Sequence, residues 1–146
     1  MAALTRKQPQ LRPADWMRDQ RAIKAVRLAV FVQEQGIPES EEWDEMDAVC
    51  EHVLAQDEDG TPIATGRLAP DGKIGRMAVL KAWRGRGLGA ALLRFLMESA
   101  RRRAFPQCYV YAQSHASGFY ARYGFAAQGE EFMEAGILHR RMQLRF

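Results

Sequence analysis

Arg84-Gly85-Arg86-Gly87-Leu88-Gly89-Ala90 is the stretch whose reading fixes how the rest of the chain is understood. It separates an apolar run, Ile74 to Leu80, from the spaced apolar residues Leu88, Ala91, Leu92, Phe95 and Leu96. The run predicts a strand and the spacing an amphipathic helix, whose end carries Arg101, Arg102 and Arg103, cations that suit a helix C-terminus. A glycine-rich junction of this kind exposes the helix's first N–H groups and its positive dipole end, which together favour an anion. Without side chains at Gly85, Gly87 and Gly89, a pyrophosphate can come close enough to accept several backbone hydrogen bonds, and Arg84 and Arg86 are expected to add charge. A plainer reading is a glycine-softened turn capping a core helix, and for the motif alone the two weigh about equally. No Gly-Lys-Ser/Thr follows, so this is not a Walker loop, and the antiparallel strands expected before it do not suit a dinucleotide fingerprint.

Outward from this junction, the remaining elements follow from periodicity and turn residues. Gln8 to Pro13 reads as a strand, and Trp16, Ile23, Val26, Val30 and Phe31 as a helix that Gly36 and Pro38 stop. His52 to Ala55, Pro62 to Leu68 and Lys73 to Leu80 form a meander turning at Asp59-Gly60 and Asp71-Gly72. Downstream come a strand at Tyr109 to Ala112, a short helix at Ala116 to Arg122, and strands at Gly124 to Ala127 and Leu138 to Phe146. The expected class is α+β in the order β-α-βββ-α-β-α-ββ, and residues 1–146 read as a single domain with no repeat or linker.

Composition bounds the function. Hydrophobic residues make up 47% and charged residues 27%, as in an ordinary soluble domain. No apolar run approaches the roughly 20 residues of a membrane span, and Met1 to Gln10 holds no apolar leader, so a cytoplasmic protein is expected. Cys50 and Cys108 make neither a CxxC pair nor a disulfide framework; two buried thiols in a reducing compartment, and no metal, are expected. Residues 1–71 hold 8 Lys/Arg against 14 Asp/Glu, net −6, whereas residues 72–146 hold 13 against 4, net +9, for the total of +3. The basic half favours an anion. Its arginines are dispersed, without interleaved aromatics, so a phosphorylated small molecule explains them at least as well as nucleic acid.

Taken together these residues resemble the GNAT superfamily of N-acetyltransferases. Arg84-Gly85-Arg86-Gly87-Leu88-Gly89 matches its (Gln/Arg)-x-x-Gly-x-(Gly/Ala) signature, which lies between the fourth strand and the following helix. Ala116-Ser117-Gly118-Phe119-Tyr120-Ala121-Arg122-Tyr123-Gly124-Phe125 is similar to its second signature, and Phe31-Val32-Gln33-Glu34-Gln35, with Glu131 and His139, looks like the ElaA branch. The motif-bearing match runs from about Pro62 to Phe146.

The resemblance implies a splayed, mostly antiparallel sheet and acetyl-CoA as co-substrate, held by Arg84 to Ala90. It implies a pantetheine arm along the backbone of Met77, Ala78 and Val79, and a contact at Gln113, where relatives often have Asn. It implies an amine acceptor, on a small molecule or peptide, and a homodimer as one option, since relatives are often dimers. Tyr120 corresponds to the tyrosine that protonates the departing thiolate in many relatives; a phenol with a pKa of about 10 keeps its proton at neutral pH. Without the signature, Tyr120 and Phe119 would read as core aromatics, and Tyr123 is Tyr120's competitor one turn on. No base is assigned: Glu131, His52 and His139 are candidates only. Glu39, Glu41, Glu42, Asp44, Glu45 and Asp47 either attract a cationic amine or form a solvated loop. Cys108, at the head of a strand, is expected to be buried and inert, which favours direct attack in a ternary complex. Two alternatives stay open: a non-catalytic acyl-CoA sensor of the same fold, and a nucleic-acid-binding module built on Arg101 to Arg103.

Overall fold

The computed structural model describes residues 8–146. The expectation about a leader in Met1 to Gln10 therefore falls mostly outside the described residues.

Strand β1 (Gln10–Ala14) leads into α1 (Trp16–Arg27), which Asp15 starts by accepting a hydrogen bond from the Met17 N–H at 2.9 Å. The helix does not stop at Arg27. Leu28–Glu34 continue as a π-helix, an uncommon winding that occurs frequently at functional sites, until Gly36 at φ +75° breaks it. After α2 (Glu39–Glu42) and a 3₁₀ turn (Glu45–Ala48) come β2 (Glu51–Gln56), β3 (Pro62–Leu68) and β4 (Ile74–Val79). With β1 they form an antiparallel sheet in the order β1-β2-β3-β4. Helix α3 (Leu88–Arg102), β5 (Gln107–Gln113), α4 (Ser117–Ala121), β6 (Ala126–Glu134) and β7 (Ile137–Arg145) follow, with the last three strands ordered β5-β7-β6. The observed class is the α+β arrangement expected.

Strands β4 and β5 touch only at their base, where the Tyr109 N–H donates to the Gly72 carbonyl at 3.0 Å and Lys73 bridges Tyr109. Beyond that point they part. A β-bulge accounts for the divergence: Arg76 and Met77 together stand opposite Gly66, and Arg76 is left-handed at φ +50°. Bulges bend the strand that carries them, and a non-glycine residue in this conformation costs on the order of 1 kcal/mol, so packing must hold it there. Gly66 permits that packing, because a Cβ there would lie 3.0 Å from Leu96 Cδ1 and 3.1 Å from Met77 Cγ.

The core lies between the sheets and α3, whose Leu88, Leu92, Leu93, Leu96 and Ala100 meet Val53, Ile63, Leu68, Val110 and Met142. Each buried leucine contributes roughly 1.5–3 kcal/mol, enough to fix the direction in which α3 points its N-terminus. On the opposite face, Val26 and Val30 pack on Ala78 and so set the π-helix against β4. No helix among the described residues is long and apolar enough to cross a membrane.

Candidate active site

The glycine loop closes the wide end of the splay. Gly85 (φ +77°) and Gly87 (φ +81°) hold left-handed turns that side chains resist. Gly87 is the N-cap of α3 and brings no side-chain cap; the first bond within the helix runs from the Ala91 N–H to the Gly87 carbonyl at 3.0 Å. The N–H groups of the first turn are therefore open to an external acceptor. Gly89 carries a different message. Its backbone is ordinary and a Cβ there would meet nothing within 4 Å, so neither strain nor crowding in this chain asks for glycine; the missing side chain keeps space open.

That space is a cavity of about 340 Å³ lined by the loop, by Met77, Ala78 and Val79 of β4, by Val30 and Glu34 of the π-helix and by Gln35 at its C-cap. Of the expected cofactor residues, Met77, Ala78, Val79, Arg84, Gly85, Gly87, Leu88 and Gly89 converge on it. Arg86, Ala90, Gln113 and Tyr120 do not line it. Arg86 instead lies over the Trp83 ring at 4.9 Å. Arg84 departs from expectation in what its charge does: its Nε donates to the Val79 carbonyl at 3.0 Å and its two terminal nitrogens to the Glu34 carboxylate at 2.6 and 2.7 Å. The Arg84 hydrogen bond holds the Glu34 carboxyl below the usual range. This guanidinium ties the loop to β4 and to the π-helix. In the sequence Glu34 and Gln35 stand only as part of the resemblance to the ElaA branch; the signal that they border this cavity is the stop at Gly36, which fixes where the helix ends.

Tyr120 sits on α4, half-buried, with its ring edge-on to Phe119 at 5.1 Å and to Phe125 at 5.9 Å. Its hydroxyl bonds to none of the described residues, and burial pushes its pKa up to about 12. The competing Tyr123 is engaged in packing: its ring meets Phe119 at 5.5 Å and its hydroxyl accepts from Arg94 at 3.4 Å.

Half of the acidic segment's carboxylates are neither solvated nor freely available to an amine. Arg27, 1% exposed, donates to Glu42 at 2.7 Å and to Asp47 at 2.6 Å. Arg67 donates to Asp44 and Asp47, both at 2.8 Å, and Arg76 lies 3.4 Å from Glu42 and from Asp44. The Arg67 hydrogen bond lowers the Asp44 pKa; burial pushes Asp47 up, and the hydrogen bonds from Arg27 and Arg67 overcome it. Only Glu39, Glu41 and Glu45 of the six carboxylates face solvent outside this network.

The other candidates are held structurally. Burial lowers the pKa of His52, whose Nε2 lies 2.8 Å from the Asp47 carbonyl. His139 Nδ1 lies 2.7 Å from the Ile137 carbonyl, and Glu131 accepts from the Ser114 hydroxyl at 2.6 Å. Burial raises Cys108 to about 11 and also raises Cys50, which is only half-buried, so both favour the inert thiol. Among the described residues no group of three or more His, Cys, Asp or Glu could hold a metal.

An open helix N-terminus beside a splayed strand is the arrangement that the resemblance to GNAT acetyltransferases implies, and comparison with known proteins shows the family. The family model described as an acetyltransferase (GNAT) domain matches residues 18–146, and the chain belongs to that family. It is 36% identical over 121 residues to the uncharacterized N-acetyltransferase YjcF of Bacillus subtilis, covering 80% of this chain and 86% of YjcF. The crystal structure of an acyl-CoA N-acyltransferase from Pseudomonas aeruginosa is 32% identical, with a TM-score of 0.85 and coverage of 93% of this chain and 99% of that one. Escherichia coli ElaA is 27% identical, with a TM-score of 0.82 over the same shares.

Proposed function

We propose that this chain is an N-acetyltransferase that uses acetyl-CoA to acetylate a primary amine. The observation that carries this reading is Gly89, a residue whose lack of a side chain serves no neighbour in the protein and leaves a cavity open at the free N–H groups of α3. Such a cradle fits a pyrophosphate, which needs close donors and a positive dipole end. Bound acetyl-CoA supplies a thioester, an acyl group already activated toward an amine.

The chain's own residues do the rest. The amides from Gly87 to Gly89 hold the phosphates, with Arg86 adding charge nearby. The β4 backbone at Met77 to Val79, turned away from β5 by the bulge and met there by Arg84 at the Val79 carbonyl, is the edge that bonds the arm and orients it. Tyr120 donates its proton to the sulfur as the C–S bond breaks, while the new C–N bond forms to the attacking neutral amine; the surplus proton on nitrogen leaves to water, and the Tyr120 phenolate regains a proton from solvent before the next turnover. With a pKa near 12 the phenol holds its proton throughout the working range. Both cysteines favour the neutral thiol, which supports direct attack by the amine over an acetylated cysteine. An amine-panel assay that detects released thiol tests the reading: turnover with at least one amine is expected, and none across small amines and lysine peptides would overturn it.

A further inference from the structure

Between α4 and strands β6 and β7 lies a second cavity of about 450 Å³ that shares no lining residue with the first. Its floor is apolar, made by Phe125, Ala127 and Met142, and its rim carries Glu131, Arg140 and the hydroxyl of Ser114. The sheet is distorted where this rim stands. Three residues of β6, Gly129 to Glu131, face Arg140 alone on β7, and Gly129 is left-handed at φ +76°. Bulges of this kind re-aim side chains, and here one sets an acidic and a basic group on the same cavity.

These two groups do not neutralise each other. Glu131 bonds to Ser114, while the Arg140 guanidinium has no ion pair with any described residue, and its Nε is buried without a hydrogen-bond partner. The buried Nε is beyond a ligand's reach, but the two terminal nitrogens of the guanidinium have no acceptor among the described residues, and their natural complement is a planar, doubly accepting anion. A phosphate would suffer from the carboxylate of Glu131 on the same rim, whereas an ammonium group would gain from it. We infer that this cavity binds a free apolar α-amino acid, its carboxylate on Arg140, its ammonium beside Glu131 and its side chain over Phe125 and Met142.

The test is an NMR titration of the ¹⁵N-labelled protein, without acetyl-CoA, with L-leucine, L-methionine and L-phenylalanine. Controls are 4-methylpentanoate, which lacks the amine, and isopentylamine, which lacks the carboxylate. At least one amino acid is expected to shift the amides of Ser117, Gly118, Ala121 and Ala127 with a Kd of about 1 mM or tighter. The controls should bind at least tenfold more weakly, as should the Arg140→Gln variant. No shifts at these amides with any of the three at about 10 mM overturns the proposal, as does equal binding by the controls or by Arg140→Gln. Should that variant fail to fold, the comparison of amino acid with controls on the wild type decides alone. Failure here leaves acetyl transfer untouched, since the cofactor cleft takes no part in the titration.

Discussion

The loop from Arg84 to Ala90 and the segment from Glu39 to Ala48 both look from their composition like binding loops. One is stripped of side chains and basic; the other carries six carboxylates. In the fold they part company. The glycine loop keeps its first-turn N–H groups open and its surroundings empty, whereas half of the acidic carboxylates are consumed by Arg27, Arg67 and Arg76. Availability, more than charge, separates a site from its scaffold.

The largest test of that contrast is Arg27→Ala, which would leave Glu42 and Asp47 buried without their main cation; a loss of about 3–5 kcal/mol in denaturant unfolding is expected. A change below about 1 kcal/mol would mean that the acidic segment is solvated after all. On the open side, Tyr120→Phe should lower kcat about 100-fold while acetyl-CoA affinity changes little, measured by steady-state kinetics and calorimetry together. An unchanged kcat would favour the sensor reading. The same kinetics followed against pH should show no alkaline loss assignable to Tyr120 below about pH 11, because the phenol titrates near 12.

Smaller effects sharpen the boundary between the two regions. Arg84→Gln should weaken acetyl-CoA by less than about tenfold, since Glu34 already occupies the guanidinium; a loss of several hundredfold would show that Arg84 turns to the phosphates on binding. Away from both, Asp19 is lowered to about 2, first by its hydrogen bond from Arg12. A depressed carboxylate stabilises the fold above its unfolded value near 4 and loses that contribution as the pH falls toward 2. With Arg12 37% exposed, the stake is about 1 kcal/mol, and Asp19→Asn should flatten acid unfolding across that window.

Much of this was legible in the sequence. Pro62–Leu68 matches its expected strand residue for residue, and α3 follows from leucine spacing. The glycine turn before α3 was legible too, because Gly85 and Gly87 adopt the left-handed backbone that glycine favours. Strand β6 was missed beyond Ala127. It is an exposed edge whose Gln128 to Glu131 breaks alternation at a bulge, so only pairing with β7 makes it a strand. The neutralised acidic segment was invisible for another reason: Arg27 and Arg67 lie 15 to 23 residues away in sequence from the carboxylates they bind, and charge counted along the chain cannot register partners brought in by folding.

Calorimetric titration of acetyl-CoA into the wild type and into Gly89→Glu tests the central claim most directly. A glutamate in the first turn suits the helix dipole and meets open space, so the fold should lose no stability, while the phosphate position is filled and made negative. The account predicts micromolar binding by the wild type and a loss of at least about 100-fold, or 2.7 kcal/mol, in the variant. No heat with the wild type, or equal affinity in the variant, would contradict it.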